Sequence, residues 1–436
     1  MSASSHASNP TICAISTPAG VGGIAVIRIS GAKAIETADS IWQGKRLTTV
    51  ASHTVHLGYI TDPSAPDEPL DQAVATIFRA PASFTGEDVV ELSVHGSSYI
   101  QQQLINLLIR QGCSLAQPGE FSRRAFASGK LDLAEAEAVA DLIASSSKAS
   151  HRLAMNQMRG HFSERLALLR EELLQLAALM ELELDFSEEE VEFADRTRLH
   201  TLAASTQKEI SRLCDTFSTG DAIRNGIPVA IVGSPNAGKS SLLNTLLSDN
   251  RAIVSDIPGT TRDTIEDTAQ INGVNFRFTD TAGIRTTADT IETLGIERAW
   301  DKISQARIII WLTTPGEPIT TLQTYAERLQ ATRHSSSTLL LAVNKTDLLP
   351  DYSLTQVLPD HDHLHAVLQP DAILPISVTA GTGIDTLRDA LYRHSGAADI
   401  TPDDIVVTNA RHYEALMNAG QTLARVIAAL TPDAYP

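Results

Sequence analysis

Cysteine is scarce: Cys13, Cys113 and Cys214 are the only three in 436 residues. They lie far apart and form no Cys-x-x-Cys pair, so neither a disulfide framework nor a zinc knuckle is indicated. Aromatic residues make up only 5% of the chain, which advertises no stacking platform for single-stranded nucleic acid. Basic charge is also short, with 34 lysines and arginines against 52 aspartates and glutamates, a net −18. That argues against a protein that coats nucleic acid through bulk charge; any RNA contact must be local or shared with a partner. No apolar run approaches the roughly 18 residues of a membrane span. Met1 to Pro10 has no basic residue and no apolar stretch, so no secretory signal is expected and the expected location is the cytoplasm.

What remains is an ordinary globular composition, 43% hydrophobic and 20% charged. At roughly 150 residues per domain the length suggests about three domains. Residues 11–120 are rich in β-branched stretches broken by Gly and Pro; Ile24 to Ile29, Val74 to Phe78 and Val89 to Val94 read as strands and 97–111 as a helix. This is a mixed α+β domain. Asp132 then stands three residues before Glu135 at the head of LAEAEAVADLIA, a capping-box-like helix start. Phe162, Leu166, Leu169, Leu173, Leu176, Met180 and Leu184 recur at helical spacing, the seam of one long helix. The acidic run Glu181 to Asp195 reads as a solvated face.

From Ile227 to about His394 strands alternate with helical patterns, as in a mostly parallel sheet. Helical texture then returns, with Tyr413, Leu416, Met417, Leu423, Val426, Ile427 and Leu430 on one face. A lone amphipathic helix is unstable. It is therefore expected to pack on the earlier helices, which makes the α/β domain an insertion. The expected division is 1–120, a helical part over 121–220, the α/β domain over 221–395, and a second helical part over 396–436.

Gly233-Ser-Pro-Asn236-Ala237-Gly238-Lys239-Ser240 follows the strand-like IPVAIV and, with Ser241, opens a helical pattern. This is a phosphate loop in its strand–loop–helix context. Glycines let backbone N–H groups turn inward around phosphates at a helix N-terminus. Lys239 is expected to reach the β/γ-phosphates and Ser240 to bind Mg²⁺. Asp280-Thr281-Ala282-Gly283 ends a strand and places a carboxylate near Mg²⁺ and a glycine amide near the γ-phosphate. Asn344-Lys345-Thr-Asp347 ends the strand LLLAV. A carboxylate there accepts two hydrogens from guanine, and adenine offers neither. Thr260 and Thr261, at the end of Ser255-Asp256-Ile257-Pro258-Gly259-Thr260-Thr261, lie between the phosphate loop and the Asp280 strand, where GTP-driven switches bring a threonine to Mg²⁺. Four motifs in this order mark a GTP-binding domain. Ile284 occupies the position where Ras-like switches carry a water-orienting Gln. Another carboxylate must orient water, or another cation must neutralise charge. Glu292 is a candidate, or else an acid stabilising a helix N-terminus; Asn236 is a turn residue or a ligand for a monovalent cation.

The chain resembles the tRNA modification GTPase family MnmE, also called TrmE. The likeness runs through TPAGVGGIAVIRISG, SFTGEDVVELSVHG, PGEFSRRAFASGKLDLAEAEAVADLI, GSPNAGKSSLLN, PGTTRD, DTAGIR, IETLGIERAW and NKTD, which is nearly the whole chain. It implies an N-terminal α+β folate-binding domain, a helical domain and an inserted Ras-like GTPase domain. It also implies a homodimer that works with the flavoprotein MnmG on wobble uridines of tRNA, forming a carboxymethylaminomethyl group. By the same resemblance Asn236 becomes a K⁺ ligand, with groups of Ser255, Ile257 and Thr260, and Glu292, nine residues after Gly283, the catalytic carboxylate. Mg²⁺ falls to Ser240 and Thr261. Arg28, Glu91 and Lys130 match residues that bind 5-formyltetrahydrofolate; without the resemblance they read as two surface charges and a polar strand residue.

Three departures stand out. The family's His-Gly-Gly is His95-Gly96-Ser97, and its last nucleotide motif, usually Ser-Ala before Lys or Arg, is Ser377-Val378-Thr379. The family's closing Cys-x-Gly-Lys does not occur in these 436 residues, so one folate contact is expected to be missing; Cys214 is no substitute in position. Two other readings compete. Gly20-Val-Gly22-Gly-Ile-Ala25 matches a dinucleotide fingerprint literally, but a strand-like IAVIRI follows where a helix is needed. A GTP-dependent RNA or ribosome-assembly switch would share the GTPase core but predicts an appended basic domain. Arg123, Arg124 and Lys130 form the one tight basic cluster near an expected cleft, with solvated helix-start charges as the plain alternative.

Overall fold

The computed structural model describes residues 9–185, 196–248, 266–280, 300, 302–349, 366–401 and 404–430. They divide into two units, Met1–Ala140 and Asp141–Pro436.

The first unit runs β1 (Ile12–Ile15), β2 (Gly22–Ser30), α1 (Ala34–Ser40), β3 (Trp42–Gly44), β4 (Thr54–Asp62), β5 (Ala65–Phe78), β6 (Val89–Gly96), α2 (Ser98–Arg110), β7 (Ser114–Leu115) and α3 (Glu120–Ala127). Its strands form one sheet in the order β3-β4-β5-β6-β2-β1-β7. Every pairing is antiparallel except β1 with β7. Side chains alternate across a strand. Ala25, Ile27 and Ile29 of β2 and Val90, Leu92 and Val94 of β6 therefore share a core with Leu104, Leu107 and Leu108 of α2. The opposite face carries Arg28 and Glu91, and on β4 the exposed Val55, Leu57 and Tyr59. Ile24–Ile29 lies within β2, so no helix follows Gly20 to Ala25 and the dinucleotide reading is excluded.

Helix α4 (Leu133–Ala144) starts in the expected capping box. Asp132 N–H donates to Glu135 Oε2 at 2.7 Å, and Glu135 N–H donates to Asp132 Oδ1 at 2.8 Å.

The second unit continues with α5 (Lys148–Met158), α6 (His161–Asp185) and α7 (Arg196–Asn225). There follow β8 (Ile227–Gly233), α8 (Lys239–Ser248), β9 (Glu266–Ile271), β10 (Val274–Asp280), β11 (Ile308–Thr313), α9 (Ile319–Thr332), β12 (Thr338–Val343), β13 (Ala372–Pro375), α10 (Ile384–Arg393) and α11 (Ala410–Leu430). In α6 the seam residues Phe162, Leu169 and Leu176 are buried while Leu168 and Leu174 are exposed. Most of the acidic run lies outside the described residues. Helix α11 does pack on the earlier helices: Tyr413 stacks on Phe217 of α7 at 4.4 Å between ring centroids, and His412 on Phe162 of α6 at 5.1 Å. The α/β body is thus inserted between α7 and α11.

That body is a sheet in the order β13-β12-β11-β8-β10-β9. Among the described residues all its pairings are parallel except β9 with β10. Parallel strands flanked by helices bury both faces, which explains their unbroken apolar runs. In β8, Val229 and Ile231 enter one core and Ala230 and Val232 the other; in β11, Ile308 and Ile310 oppose Ile309 and Trp311. The order reverses at β8, between β10 and β11. Ligands of such sheets sit at that crevice, beyond the carboxyl ends of the strands.

Candidate functional site

The sequence motifs gather at that edge. The phosphate loop leaves β8 at Gly233, Asp280 ends β10 in register with Ile231, and Asn344 follows β12. Gly233 has φ +148° and Gly238 φ +100°, backbone conformations that side chains rarely adopt. A Cβ on Gly233 would run into the Leu312 carbonyl, and one on Gly238 into Asn344 Nδ2. The loop is therefore shaped as a backbone cradle, which fits a polyphosphate. Asn236 takes φ +62°, a strained region that Asn tolerates better than most residues, and it is exposed. Lys239 Nζ donates to the carbonyls of Gly233 at 2.8 Å and Ser234 at 3.0 Å. Ser240 and Ser241 lie exposed in the first turn of α8, where a hydroxyl can serve a divalent cation beside phosphate.

Buried Asn344 bridges the loops around this cradle. Its Nδ2 donates to the Ala237 carbonyl at 2.8 Å and its Oδ1 accepts from Val378 N–H at 3.1 Å. Lys345 occupies the left-handed region at φ +64°. Asp347 is exposed, and its Oδ1 accepts from Ser377 Oγ at 2.6 Å. Ser377 is fully buried, and its Oγ also accepts from Ala380 N–H at 3.1 Å. These contacts use a serine hydroxyl and two backbone amides, so they do not depend on the side chains of Val378 and Thr379 that depart from the family pattern. Ser255, Asp256, Ile257, Pro258, Gly259, Thr260, Thr261, Thr281, Ala282, Gly283, Ile284 and Glu292 lie outside the described residues.

In the first unit Arg28 and Glu91 stand directly opposite each other on β2 and β6. They form a two-pronged ion pair, Nε to Oε1 at 2.8 Å and Nη2 to Oε1 at 2.7 Å, with side chains 25% and 26% exposed. The guanidinium also lies over Phe84 and Phe121, 5.3 and 5.5 Å from their centroids. Neither is therefore an isolated surface charge. Together they offer a carboxylate, a cation and two aromatic faces on an otherwise open sheet, which suits a flat heterocycle. Lys130 is exposed, its side chain beside Gly86 in the loop that also supplies Phe84. No sequence signal singled out the two phenylalanines.

Arg124 corrects the reading of the basic cluster. It is neither a solvated charge nor a cation presented to RNA. Its side chain is 5% exposed and spans Glu87 at 3.0 Å and Glu120 at 2.9 Å, and it donates to the Pro10 carbonyl at 2.8 Å. Glu87 in turn accepts from Ser30 Oγ at 2.7 Å, so the network ties α3 to β2 beside the Arg28 platform. The Gln117 N–H, then Arg124, holds the Glu120 carboxyl below its ordinary range. Arg124→Ala would remove the cation shared by Glu87 and Glu120, leaving Glu120 with Arg123 at 3.4 Å and the Gln117 N–H. The expected cost is about 1.5–3 kcal/mol, read by urea unfolding with hydrogen exchange of the β2 and β6 amides. A change under about 1 kcal/mol would show the pair to be worth no more than a surface bridge.

Among the described residues no helix is long and apolar enough to cross a membrane, and no group of His, Cys, Asp and Glu could by itself hold a metal ion.

Two family models match the chain: "GTP-binding protein TrmE N-terminus" over residues 11–130 and "MnmE helical domain" over residues 133–435. The tRNA modification GTPase MnmE of Parabacteroides distasonis is 50% identical over 421 residues, covering 95% of this chain and 89% of that protein. The protein of the same name from Flavobacterium johnsoniae is 47% identical with the same coverage. Among solved structures, Aquifex aeolicus Era bound to GDP.AlF4- aligns over 38% of this chain and 56% of that one, at 29% identity and a TM-score of 0.30. The identity and coverage of the relatives and the two matched models establish that this chain belongs to the tRNA modification GTPase MnmE family.

Proposed function

We propose that the chain is a tRNA-modifying GTPase whose hydrolysis depends on potassium. The observation that carries the nucleotide reading is Asn344. One buried amide joins the phosphate cradle at Ala237 to the base-side loop at Val378, so the phosphate and base subsites form one frame. Asp347, steadied by Ser377, selects guanine. Lys239 binds the β/γ-phosphates, and Ser240, Thr261 and the Asp280 to Gly283 segment serve the metal side of the triphosphate. Mg²⁺, when bound, neutralises charge between the phosphates. Asn236, with Ser255, Ile257 and Thr260, holds K⁺, and Glu292 orients water. The test is phosphate release from GTP by the purified protein: turnover without an activating protein is expected, and its absence in potassium buffer would overturn the reading.

The tRNA step rests on family membership. In this reading the protein acts in the cytoplasm as a homodimer with the flavoprotein MnmG, on wobble uridines of tRNA. The exposed row Val55, Leu57 and Tyr59 on β4 supports a pairing surface on the first unit. Arg28, Glu91 and Lys130 bind 5-formyltetrahydrofolate. Glu91 suits the adjacent N–H donors of a pterin by the same two-acceptor logic that Asp347 uses for guanine. Arg28→Ala and Glu91→Ala are each expected to weaken folate binding about tenfold or more, measured by calorimetry. Unchanged affinity in both would remove these residues from the site.

A further inference from the structure

Glu317 belongs to none of the motifs. It lies between β11 and α9, in the segment Thr314-Pro-Gly-Glu317-Pro318. Both of its carboxylate oxygens are engaged. Oε2 accepts from Thr313 Oγ1 at 2.6 Å, and Oε1 accepts from Ser234 Oγ. Thr313 closes β11 and is fully buried. Ser234 is the first residue of the phosphate loop after β8. The carboxylate therefore staples the mouth of the loop to the end of the neighbouring strand.

The consequence reaches Lys239. Its ammonium has three donors, and two of them go to the carbonyls of Gly233 and Ser234. These carbonyls help set where the ammonium points, and one belongs to the residue that Glu317 holds. The Tyr325 hydroxyl approaches the same Gly233 carbonyl at 3.5 Å, so α9 and the segment before it brace this corner from two sides. We propose that Glu317 is a positioning residue for Lys239, acting through Ser234 to aim the ammonium at the β/γ-phosphates. This rests on the nucleotide reading above. The plainer role, an acid favouring the N-terminus of α9, would need only negative charge there. It would not need two hydroxyl partners on other elements.

Titrations of the full chain with fluorescent GTP, GDP and GMP analogues separate these roles. Glu317→Ala is expected to weaken GTP and GDP about tenfold and GMP much less, because GMP lacks the β- and γ-phosphates. Glu317→Gln keeps two hydrogen bonds, since its Oε1 can accept from one hydroxyl and its Nε2 can donate to the other. It is expected to stay within about threefold of the unsubstituted protein. Ser234→Ala breaks the same staple from its other end and should reproduce the phosphate-weighted loss, which keeps the test open if Glu317→Ala folds poorly. Equal weakening of all three nucleotides, unchanged GTP affinity in both alanine variants, or Gln as damaging as Ala would each overturn the proposal while leaving GTP binding standing. An unsubstituted protein that bound no GTP would instead overturn the nucleotide reading, and this one with it.

Discussion

Replacing Glu292 by alanine is expected to cut GTP turnover by about a hundredfold or more while GTP affinity stays nearly unchanged. The reason begins at Ile284, which follows Asp280-Thr-Ala-Gly283 where Ras-like switches have a glutamine. An isoleucine side chain neither donates nor accepts a hydrogen bond, so in the proposed mechanism a carboxylate orients the attacking water. Such a group acts on water and not on nucleotide, so its loss lowers kcat with little effect on binding. Charge building on the phosphates needs a second contribution. In the proposed mechanism K⁺, when bound, would supply the positive charge that an arginine finger supplies in other switches. Asn236 suits that ion: it is an exposed amide in the phosphate loop, held at φ +62°, and offers a neutral oxygen. Turnover is expected to be faster in K⁺ than in Na⁺ at equal ionic strength, because the smaller ion fits the same oxygen cage poorly. Asn236→Ala should abolish that difference. Equal rates in the two salts, or full activity in Glu292→Ala, would refute this mechanism and leave the GTP site intact.

The phosphate loop and the inserted architecture were legible because each is a local pattern. Gly-x-x-x-x-Gly-Lys-Ser needs only its own neighbours, and the stripe from Tyr413 to Leu430 needs a helical partner, which α7 chiefly supplies through contacts such as Tyr413 on Phe217. What sequence could not yield depends on distant pairing. Arg28 and Glu91 are 63 residues apart and meet only because β2 and β6 align in one register. Taken singly, each looks like an ordinary polar residue. Arg124 looks solvated because its neighbour Arg123 is; Glu87 and the Pro10 carbonyl, which bury it, come from elsewhere in the chain. Glu317 was invisible for the same reason, since its partner Ser234 lies 83 residues away. The base-side loop shows the converse. Ser377-Val378-Thr379 departs from the family pattern in side chains, but its bond to Asn344 uses the backbone.

Asp347→Asn is expected to reverse the preference for GTP over xanthosine triphosphate. In the proposed base site the carboxylate would present two acceptors to N1–H and the 2-amino group of guanine. Asparagine keeps one acceptor and turns the other into a donor, which opposes the 2-amino group but matches the 2-oxo group of xanthine. Leaving such a pair unmatched costs about 1–3 kcal/mol, roughly 5- to 150-fold in affinity. The bond from Ser377 gives the new amide an expected direction. Ser377 Oγ accepts from Ala380 N–H at 3.1 Å and donates to Asp347 Oδ1 at 2.6 Å. With that hydroxyl proton aimed at residue 347, the amide is expected to turn its oxygen to Ser377 and its nitrogen toward the C2 substituent of the base. Asp347→Asn alone should therefore discriminate sharply, by competition of the two triphosphates for a fluorescent analogue. Adding Ser377→Ala removes the donor that fixes the amide and should narrow the xanthosine preference as the side chain flips. Unchanged GTP affinity in Asp347→Asn would remove this strand end from the base site. A double variant as selective as the single one would show that Ser377 does not orient the side chain.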